Sequence, residues 1–275
     1  MCGLLYVLSV EAVAPEGYPT GMRHQIDTRA AGEPVSCGDF AEHLYLDSHR
    51  SAIFVGDVAG RGHSVGLAAD ALRAYARSVI LSGTSLSHTL DAVDEFFART
   101  VQSEAVPFAS LFIAVSDGWK TQLRYASAGH EPGLLFDDAG RHRHLDPTGP
   151  ILGLRALRAH PTYGERTVAL GKLLVVVTDG ITEARRFNGD ALAFFGSTGV
   201  VRAVQNAELS LHDTADAIHQ AAVEHARGAL ADDASVVVSA FGVHRNGPTP
   251  SLLARPLGGW ATLTKAEHER GTYCA

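Results

Sequence analysis

The chain is poor in cysteine. Its three, Cys2, Cys37 and Cys274, are odd in number and show no CxxC spacing, so neither a disulfide framework nor a zinc knuckle is supported. A fold that does without disulfides suits a reducing compartment, and a cytoplasmic location is expected. Aromatic residues are scarce at 7%, and the two tryptophans, Trp119 and Trp260, form no pattern suggestive of base stacking. No five like charges follow one another, and 23 Lys+Arg against 30 Asp+Glu leave a net charge of −7, which argues against a nucleic-acid-binding protein. There is no run of 18 apolar residues, so no membrane span is predicted. The apolar stretch 2–10 precedes Ala12-Val13-Ala14, yet no Lys or Arg stands before it, as a secretory signal requires. HExxH and a GK[ST] phosphate loop are also missing, and Gly60-Arg61-Gly62-His63-Ser64-Val65-Gly66 is one residue too long for a dinucleotide fingerprint. The single HxH pair, His142 and His144, is flanked by Arg141 and Arg143, whose charge opposes a cation.

What is present is core-forming sequence. With 275 residues, 46% hydrophobic and 19% charged, the chain can bury a large core and is not disordered as a whole. Short apolar runs predict strands over 51–56, 108–115, 122–128, 133–136, 172–178 and 234–241. Helical spacing predicts a helix over 63–81 with Val65, Leu67, Ala68, Leu72, Tyr75, Ala76 and Val79 inward, and another over 86–101 with Leu90, Val93, Phe96 and Phe97 inward. Two more helices are expected between 197 and 226. Helices inserted among runs of strands with hairpin-like connections indicate an α+β layered fold with mainly antiparallel sheets. Asn246-Gly247-Pro248-Thr249-Pro250 is a breaker cluster, and the chain reads as an N-terminal extension over 1–20, one domain over 21–245 and a C-terminal tail over 246–275.

One local design repeats: an acidic residue at the edge of an apolar strand. It occurs as Gly38-Asp39, as Val55-Gly56-Asp57, as Val177-Thr178-Asp179-Gly180 and as Asp232-Asp233 before the last strand. Singly, each Asp-Gly is a turn. Together, four carboxylate positions at strand ends can converge on one rim, where they repel one another unless a cation neutralises them. Hard oxygen donors of this kind suit Mg²⁺ or Mn²⁺, and two such ions support in-line phosphoryl transfer to water.

Around these aspartates, Gly56-Asp57-Val58-Ala59-Gly60-Arg61-Gly62-His63, Ala126-Ser127-Ala128-Gly129-His130-Glu131-Pro132, Thr148-Gly149-Pro150-Ile151-Leu152-Gly153-Leu154, Thr178-Asp179-Gly180-Ile181-Thr182-Glu183-Ala184 and Asp232-Asp233-Ala234-Ser235 stand in order. This set resembles the SpoIIE-like bacterial branch of the metal-dependent (PPM, type-2C-related) Ser/Thr protein phosphatases, over residues 22–243. The resemblance implies an α-β-β-α sandwich of two packed, mainly antiparallel sheets flanked by helices, with a two-ion Mn²⁺ or Mg²⁺ site at one end. Position by position, it implies that Asp57 bridges both ions, that Val58 offers its backbone carbonyl, and that Asp179 and Asp232 are the other direct ligands. Asp39 matches an acidic residue beside the site, acting through water. Asp232 is preferred over Asp233 on the family's spacing alone. Asp57, Asp179 and Asp232 are thereby the expected catalytic residues; no substrate-binding residue is assigned.

The implied activity is hydrolysis of phosphoserine or phosphothreonine on a small regulatory protein, of the STAS-type anti-anti-sigma class, in a partner-switching system that controls a sigma factor. Nucleic acid and membrane are not expected partners. The other readings are a phosphatase-fold binding module with weak or no turnover, and a metal-dependent hydrolase of small phosphoesters. Two features depart from the family pattern. Cys37 stands where Gly is common, placing a thiol near the site, and Val58-Ala59-Gly60 lacks the histidine that eukaryotic relatives carry after the bridging aspartate. Arg61 reads as a solvated loop residue and His130 as a hydrogen-bonded structural one rather than a metal ligand.

Overall fold

Strands that are buried on both faces carry apolar residues at every position, because neither face meets water. The runs at 51–56, 173–177 and 234–241 come close to this, interrupted only by Ser51, Ser235 and Ser239, and each is a strand sealed between two layers. The computed structural model describes residues 7–12, 22–29, 37–60, 62–157, 161–188, 191–207 and 211–241. In chain order its strands are β1 (Val7–Ala12), β2 (Met22–Arg29), β3 (Asp39–Tyr45), β4 (Arg50–Val58), β5 (Ala109–Asp117), β6 (Gln122–Ala128), β7 (Gly133–Phe136), β8 (His142–Leu145), β9 (Arg166–Ala169), β10 (Leu173–Val177), β11 (Arg185–Asn188), β12 (Ala191–Phe194) and β13 (Ala234–Phe241). The helices are α1 (His63–Leu81), α2 (Leu86–Phe96), α3 (Asp179–Thr182), α4 (Gly196–Asn206) and α5 (Leu211–Ala226).

One sheet has the order β1-β2-β13-β10-β7-β8 and the other β3-β4-β5-β6-β9, and every pair within them is antiparallel. Three apolar layers result. Phe54, Leu111, Ile113 and Val115 pack under α1 and α2 with Leu72, Ala76 and Leu90. Val175, Val177, Val236 and Val238 pack under α3, α4 and α5 with Ile181, Val200 and Ile218. Between the sheets lie Ile53, Val55, Phe112, Ala114, Leu174, Val176 and Val237, the alternate residues of the same strands. This is the expected α-β-β-α sandwich.

The helices lie where helical spacing puts them, with two differences. Leu67 was expected inward and is 58% exposed, because the buried stripe of α1 runs Val65, Ala68, Ala69, Leu72, Ala76, Ile80 and position 67 lies two residues, or about 200°, round from Val65. The second helix does not run unbroken to 101. It ends at Phe96 in a π-helical turn, Phe97–Val101, which drives Phe97 fully into the core. Strands β1, β2, β8 and β9 were not foreseen, nor was the hairpin β11–β12, which pairs with neither large sheet. His142 and His144 sit on exposed positions of β8. Val7–Ala12, inside the stretch read as an extension, is the edge strand of the first sheet. The expected tail, 246–275, and Trp260 lie outside the described residues, which all belong to the unit Met1–Val243.

Phe112→Ala, which empties a fully buried position between the sheets, is expected to cost about 3–5 kcal/mol in urea unfolding. Leu67→Ala, on the outer face of α1, is expected to change it by no more than about 0.5 kcal/mol.

Candidate metal centre

The strand rows that face across the sandwich change chemistry at one end. On β4 the row reads Ile53, Val55, Asp57; on β5 it reads Ala114, Phe112, Ser110; on β3 it reads Ala41, Asp39. In the facing sheet, Leu174 and Val176 of β10 are followed by Thr178 in extended backbone, and Val237 of β13 by Ser235. Period-two alternation therefore delivers Asp39, Asp57, Ser110, Thr178 and Ser235 to the same mouth between the sheets. Asp39 and Asp57 are direct cross-strand partners, as are Asp57 and Ser110.

Two polar ties close this mouth from sheet to sheet. Thr178 Oγ1 donates to Asp39 Oδ2 at 2.7 Å and accepts from the Ser235 backbone N–H at 2.9 Å. The Gly38 N–H donates to Asp233 Oδ2 at 3.0 Å. Both contacts need close backbone approach. A Cβ on Gly38 would stand 2.6 Å from the Val58 carbonyl oxygen and 3.1 Å from Asp57 Oδ1, and one on Gly180 would stand 1.9 Å from the Asp233 carbonyl oxygen. Glycine at 180 thus lets α3 begin against the chain before β13, bringing Asp179 beside Asp232.

The electrostatics follow from this crowding. Burial, then the charge of Asp57, raises the carboxyl of Asp39, which is 8% exposed, well above the usual range; the Thr178 and Ser235 hydrogen bonds oppose that rise. Burial and the charges of Asp179, Asp232 and Asp233 push Asp57 up to about 7. Asp179 rises to about 6 through burial and the charges of Asp232, Glu183 and Glu131. Asp57 thus lies within electrostatic reach of Asp39, Asp179 and Asp232, with Val58 closing β4 next to it. Both carboxylates of the Asp232-Asp233 pair accept a backbone N–H, Asp233 from Gly38 across the mouth and Asp232 from Asp233. Arg61 lies outside the described residues.

Several residues at the site carry no role from sequence reasoning. Thr178, Ser235 and Ser110 act through cross-strand register, which a local pattern does not display. Glu131, which follows His130 in the Gly129-His130-Glu131-Pro132 turn, is half-buried beside Thr182, its carboxyl raised by burial. With Asp57, Asp179, Ser110 and His130 it lines a cavity of about 240 Å³. His130 is hydrogen-bonded, its Nδ1 2.7 Å from Ser110 Oγ. The Cys37 thiol is pushed up by burial and by the charges of Asp233 and Asp39, so it stays protonated and is a poor nucleophile.

Among the described residues, no group of three His, Cys, Asp or Glu side chains is drawn together tightly enough to enclose an ion. The donor set nevertheless fits a hydrated, hard divalent cation, which takes one or two carboxylates and keeps several waters. Anionic oxygens that raise one another's pKa are what such a cation relieves.

Comparison with known proteins sets this geometry in a family. The family model described as Stage II sporulation protein E (SpoIIE) matches residues 47–242. Protein IcfG of Synechocystis sp. is 25% identical over 229 residues, covering 74% of this chain and 36% of the relative. The phosphoserine phosphatase RsbU of Bacillus subtilis is 28% identical over 153 residues, 55% of this chain and 44% of the relative. The chain thus spans less than half the length of these relatives. The RsbU and RsbW domains of a Mycobacterium tuberculosis protein superpose with a TM-score of 0.69 at 23% identity, over 88% of this chain and 65% of that one. The catalytic domain of the serine/threonine phosphatase PstP, solved with two manganese ions, gives 0.55 at 17% identity, over 80% of this chain and 98% of that one. The match over most of the chain, on a sandwich of the PP2C type with its acidic motifs at one mouth, makes this protein a member of the SpoIIE family.

Proposed function

We propose that the chain is a divalent-metal-dependent protein phosphatase that hydrolyses phosphoserine or phosphothreonine on a small regulatory protein, by attack of metal-activated water. The observation that carries this reading is the convergence of Asp39, Asp57, Asp179 and Asp232 on one mouth of the sandwich, with Asp57 and Asp179 held far from their ordinary pKa. The names of relatives support it: one is a phosphoserine phosphatase, and a structural neighbour carries two manganese ions.

In this reading Asp57, Asp179 and Asp232, with the Val58 carbonyl as a neutral oxygen, would hold two Mn²⁺ or Mg²⁺ ions. Of the Asp232-Asp233 pair, Asp232 is the proposed ligand, while Asp233 spans the mouth to the Gly38 N–H. Asp39 stands behind Asp57, oriented by Thr178, and acts through water. When bound, the ions lower the pKa of water and neutralise charge on the phosphoryl oxygens. The protein's part is to fix the carboxylates before substrate arrives, so that little reorganisation remains at the moment of reaction. The expected substrate is a phosphorylated STAS-type anti-anti-sigma protein in a cytoplasmic partner-switching system. No described helix is long and apolar enough to cross a membrane.

Phosphate release from a phosphoserine protein and from a chromogenic phosphomonoester tests the reading. With Mn²⁺ or Mg²⁺ turnover is expected, with chelator none, and Asp179→Asn is expected to lose about a hundredfold, or about 2.7 kcal/mol of barrier reduction. Folded, metal-binding protein that releases no phosphate points to a binding module instead. Preference for the free phosphoester over the phosphoprotein points to a small-molecule hydrolase.

Gly38→Ala presses a methyl group onto Val58 and Asp57, and is expected to weaken activation by Mn²⁺ and lower kcat about tenfold to a hundredfold. Metal titrations of activity check this.

The raised carboxyls also set a pH dependence. A carboxyl whose folded pKa lies above its unfolded value favours the fold at low pH and loses that contribution as pH rises through the folded pKa. Buried His43 and His130, lowered to about 4, act in the opposite sense, but only up to their unfolded value of 6.5. Between about pH 6.5 and 8 the Asp57 contribution remains, so metal-free protein is expected to melt at lower temperature as pH rises through that window. Added Mn²⁺ is expected to raise Tm and flatten the slope, as read by thermal denaturation with and without chelator.

A further inference from the structure

A phosphoryl group and the carbons next to it are common to every phosphoserine, so a phosphatase selects among proteins through contacts remote from the reacting atoms. The cavity beside Asp57 and Asp179, at about 240 Å³, is smaller than the ~300–1,000 Å³ that takes a drug-sized ligand. It admits a phosphorylated side chain and little of the protein behind it. Selection therefore needs a surface next to the cavity.

The hairpin β11–β12 offers one. Its register pairs Arg185 with Phe194 and Phe187 with Leu192. Side chains alternate between the faces of a strand, so these four share one face, while Arg186 and Ala193, both half-buried, take the other. The shared face is open to solvent: Phe187 is 67% exposed, Phe194 52% and Leu192 44%. Phe187 and Phe194 are the exposed phenylalanines among the described residues. One apolar side chain in water is ordinary, but three on the same face of a two-stranded hairpin mark an interaction surface.

This face runs into the acidic mouth. Arg185 lines a small recess together with Asp179, Gly180, Glu183, Ala231 and Asp232. Among the residues lining that recess and the larger cavity, Arg185 is the one Lys or Arg. Its Nη2 lies 3.5 Å from Glu183 Oε2, and both side chains are about half exposed, so the pair is weak in water and is readily exchanged for another carboxylate. The exposed parts of the three apolar side chains amount to on the order of 300 Å², against about 800 Å² per partner in a stable complex. Such an area falls short of a dimer interface and suits a substrate that has to leave.

Resting on the phosphatase reading, we propose that the face formed by Arg185, Phe187, Leu192 and Phe194 docks the phosphoserine-bearing segment of a protein substrate, which sets an apolar side chain on the two phenylalanines and Leu192 and a carboxylate on Arg185. Arg185 and Phe187 are two strand positions apart, and an extended segment following β11 advances at the same rate of about 3.3 Å per residue. The carboxylate of the segment is therefore about two residues nearer the phosphoserine than the apolar side chain. A small phosphoester does not reach the hairpin and is indifferent to it.

The test uses the full chain with Mn²⁺, p-nitrophenyl phosphate, and phosphoserine peptides in which each of six or so positions on either side of the phosphoserine is in turn Ala, Leu, Asp or Lys. Wild type is expected to favour Leu over Ala about tenfold in kcat/KM at one position, and Asp over Lys about fivefold at a position about two residues nearer the phosphoserine. Phe187→Thr combined with Phe194→Thr is expected to bring the Leu-to-Ala ratio close to unity while turnover of p-nitrophenyl phosphate stays within about twofold of wild type. Arg185→Glu is expected to reverse the preference from Asp to Lys. Each ratio is taken within one enzyme, so a general loss of folding or metal does not imitate these outcomes. A wild type without flanking preference, or variants that keep it, would overturn the proposal. So would a wild-type dimer in sedimentation that the double variant renders monomeric, since the face then belongs to a second copy. If the double variant does not fold, Leu192→Thr and Arg185→Glu decide by the same ratios. Wild type that hydrolyses neither p-nitrophenyl phosphate nor any peptide removes the phosphatase reading. The same peptides, fluorescently labelled, then decide the surface by anisotropy: preference in wild type that the variants lose supports it, and equal binding of all peptides overturns it.

Discussion

Everything at the functional end of this molecule depends on carboxylates being held where water is scarce. Asp39 is buried and Asp57 nearly so, each beside other acids, an arrangement that pushes the two sheets apart unless something spans them. Two hydrogen bonds do so, each with an uncharged donor. Thr178 reaches from the end of β10 to Asp39 while receiving the Ser235 N–H, and Asp233 reaches from the start of β13 to the Gly38 N–H. Each tie belongs to one sheet and ends on the other. The mouth of the sandwich is thus set by the same contacts that orient its acids.

The apolar layer between the sheets and the acidic mouth are one feature continued. Ile53 and Val55 lead to Asp57, and Leu174 and Val176 lead to Thr178, with no change in backbone geometry, while Asp179 opens α3 and Asp232 stands just before β13. A site built on strand ends inherits the rigidity of a packed core. The two glycines that allow close approach, Gly38 and Gly180, stand where strand geometry stops and the acids begin. Their small size sets the separation of the backbones more than their freedom of rotation does.

Much of the architecture was legible because strands buried on both faces and one-sided helices leave strong local patterns. The runs at 122–128, 133–136 and 234–241 and the helix over 63–81 coincide with β6, β7, β13 and α1. What was not legible lacks such a pattern. β9 has the exposed, mixed sequence Arg166-Thr167-Val168-Ala169, and β11–β12 turns its apolar side chains to solvent. Leu67 is apolar but lies off the stripe of α1. At the site, the acids at 39, 57, 179 and 232 could be named because motifs around them resemble a family. Thr178, Ser235, Ser110 and His130 find one another only through register between strands distant in sequence, and a sequence carries that information nowhere in particular.

The hairpin β11–β12 lies between α3, which begins at Asp179, and α4, and its strands hydrogen-bond to each other rather than to either large sheet. It is fastened locally, by the Phe195 N–H to the Ala184 carbonyl and by the His225 ring to the Ala193 carbonyl, while Phe187, Leu192 and Phe194 face outward. Lengthening, shortening or recomposing it therefore changes no register in the sandwich. This stretch of chain, next to the acids in sequence yet uncoupled from the ladder that aligns them, is where related sequences can diverge in length and surface character while the centre stays fixed.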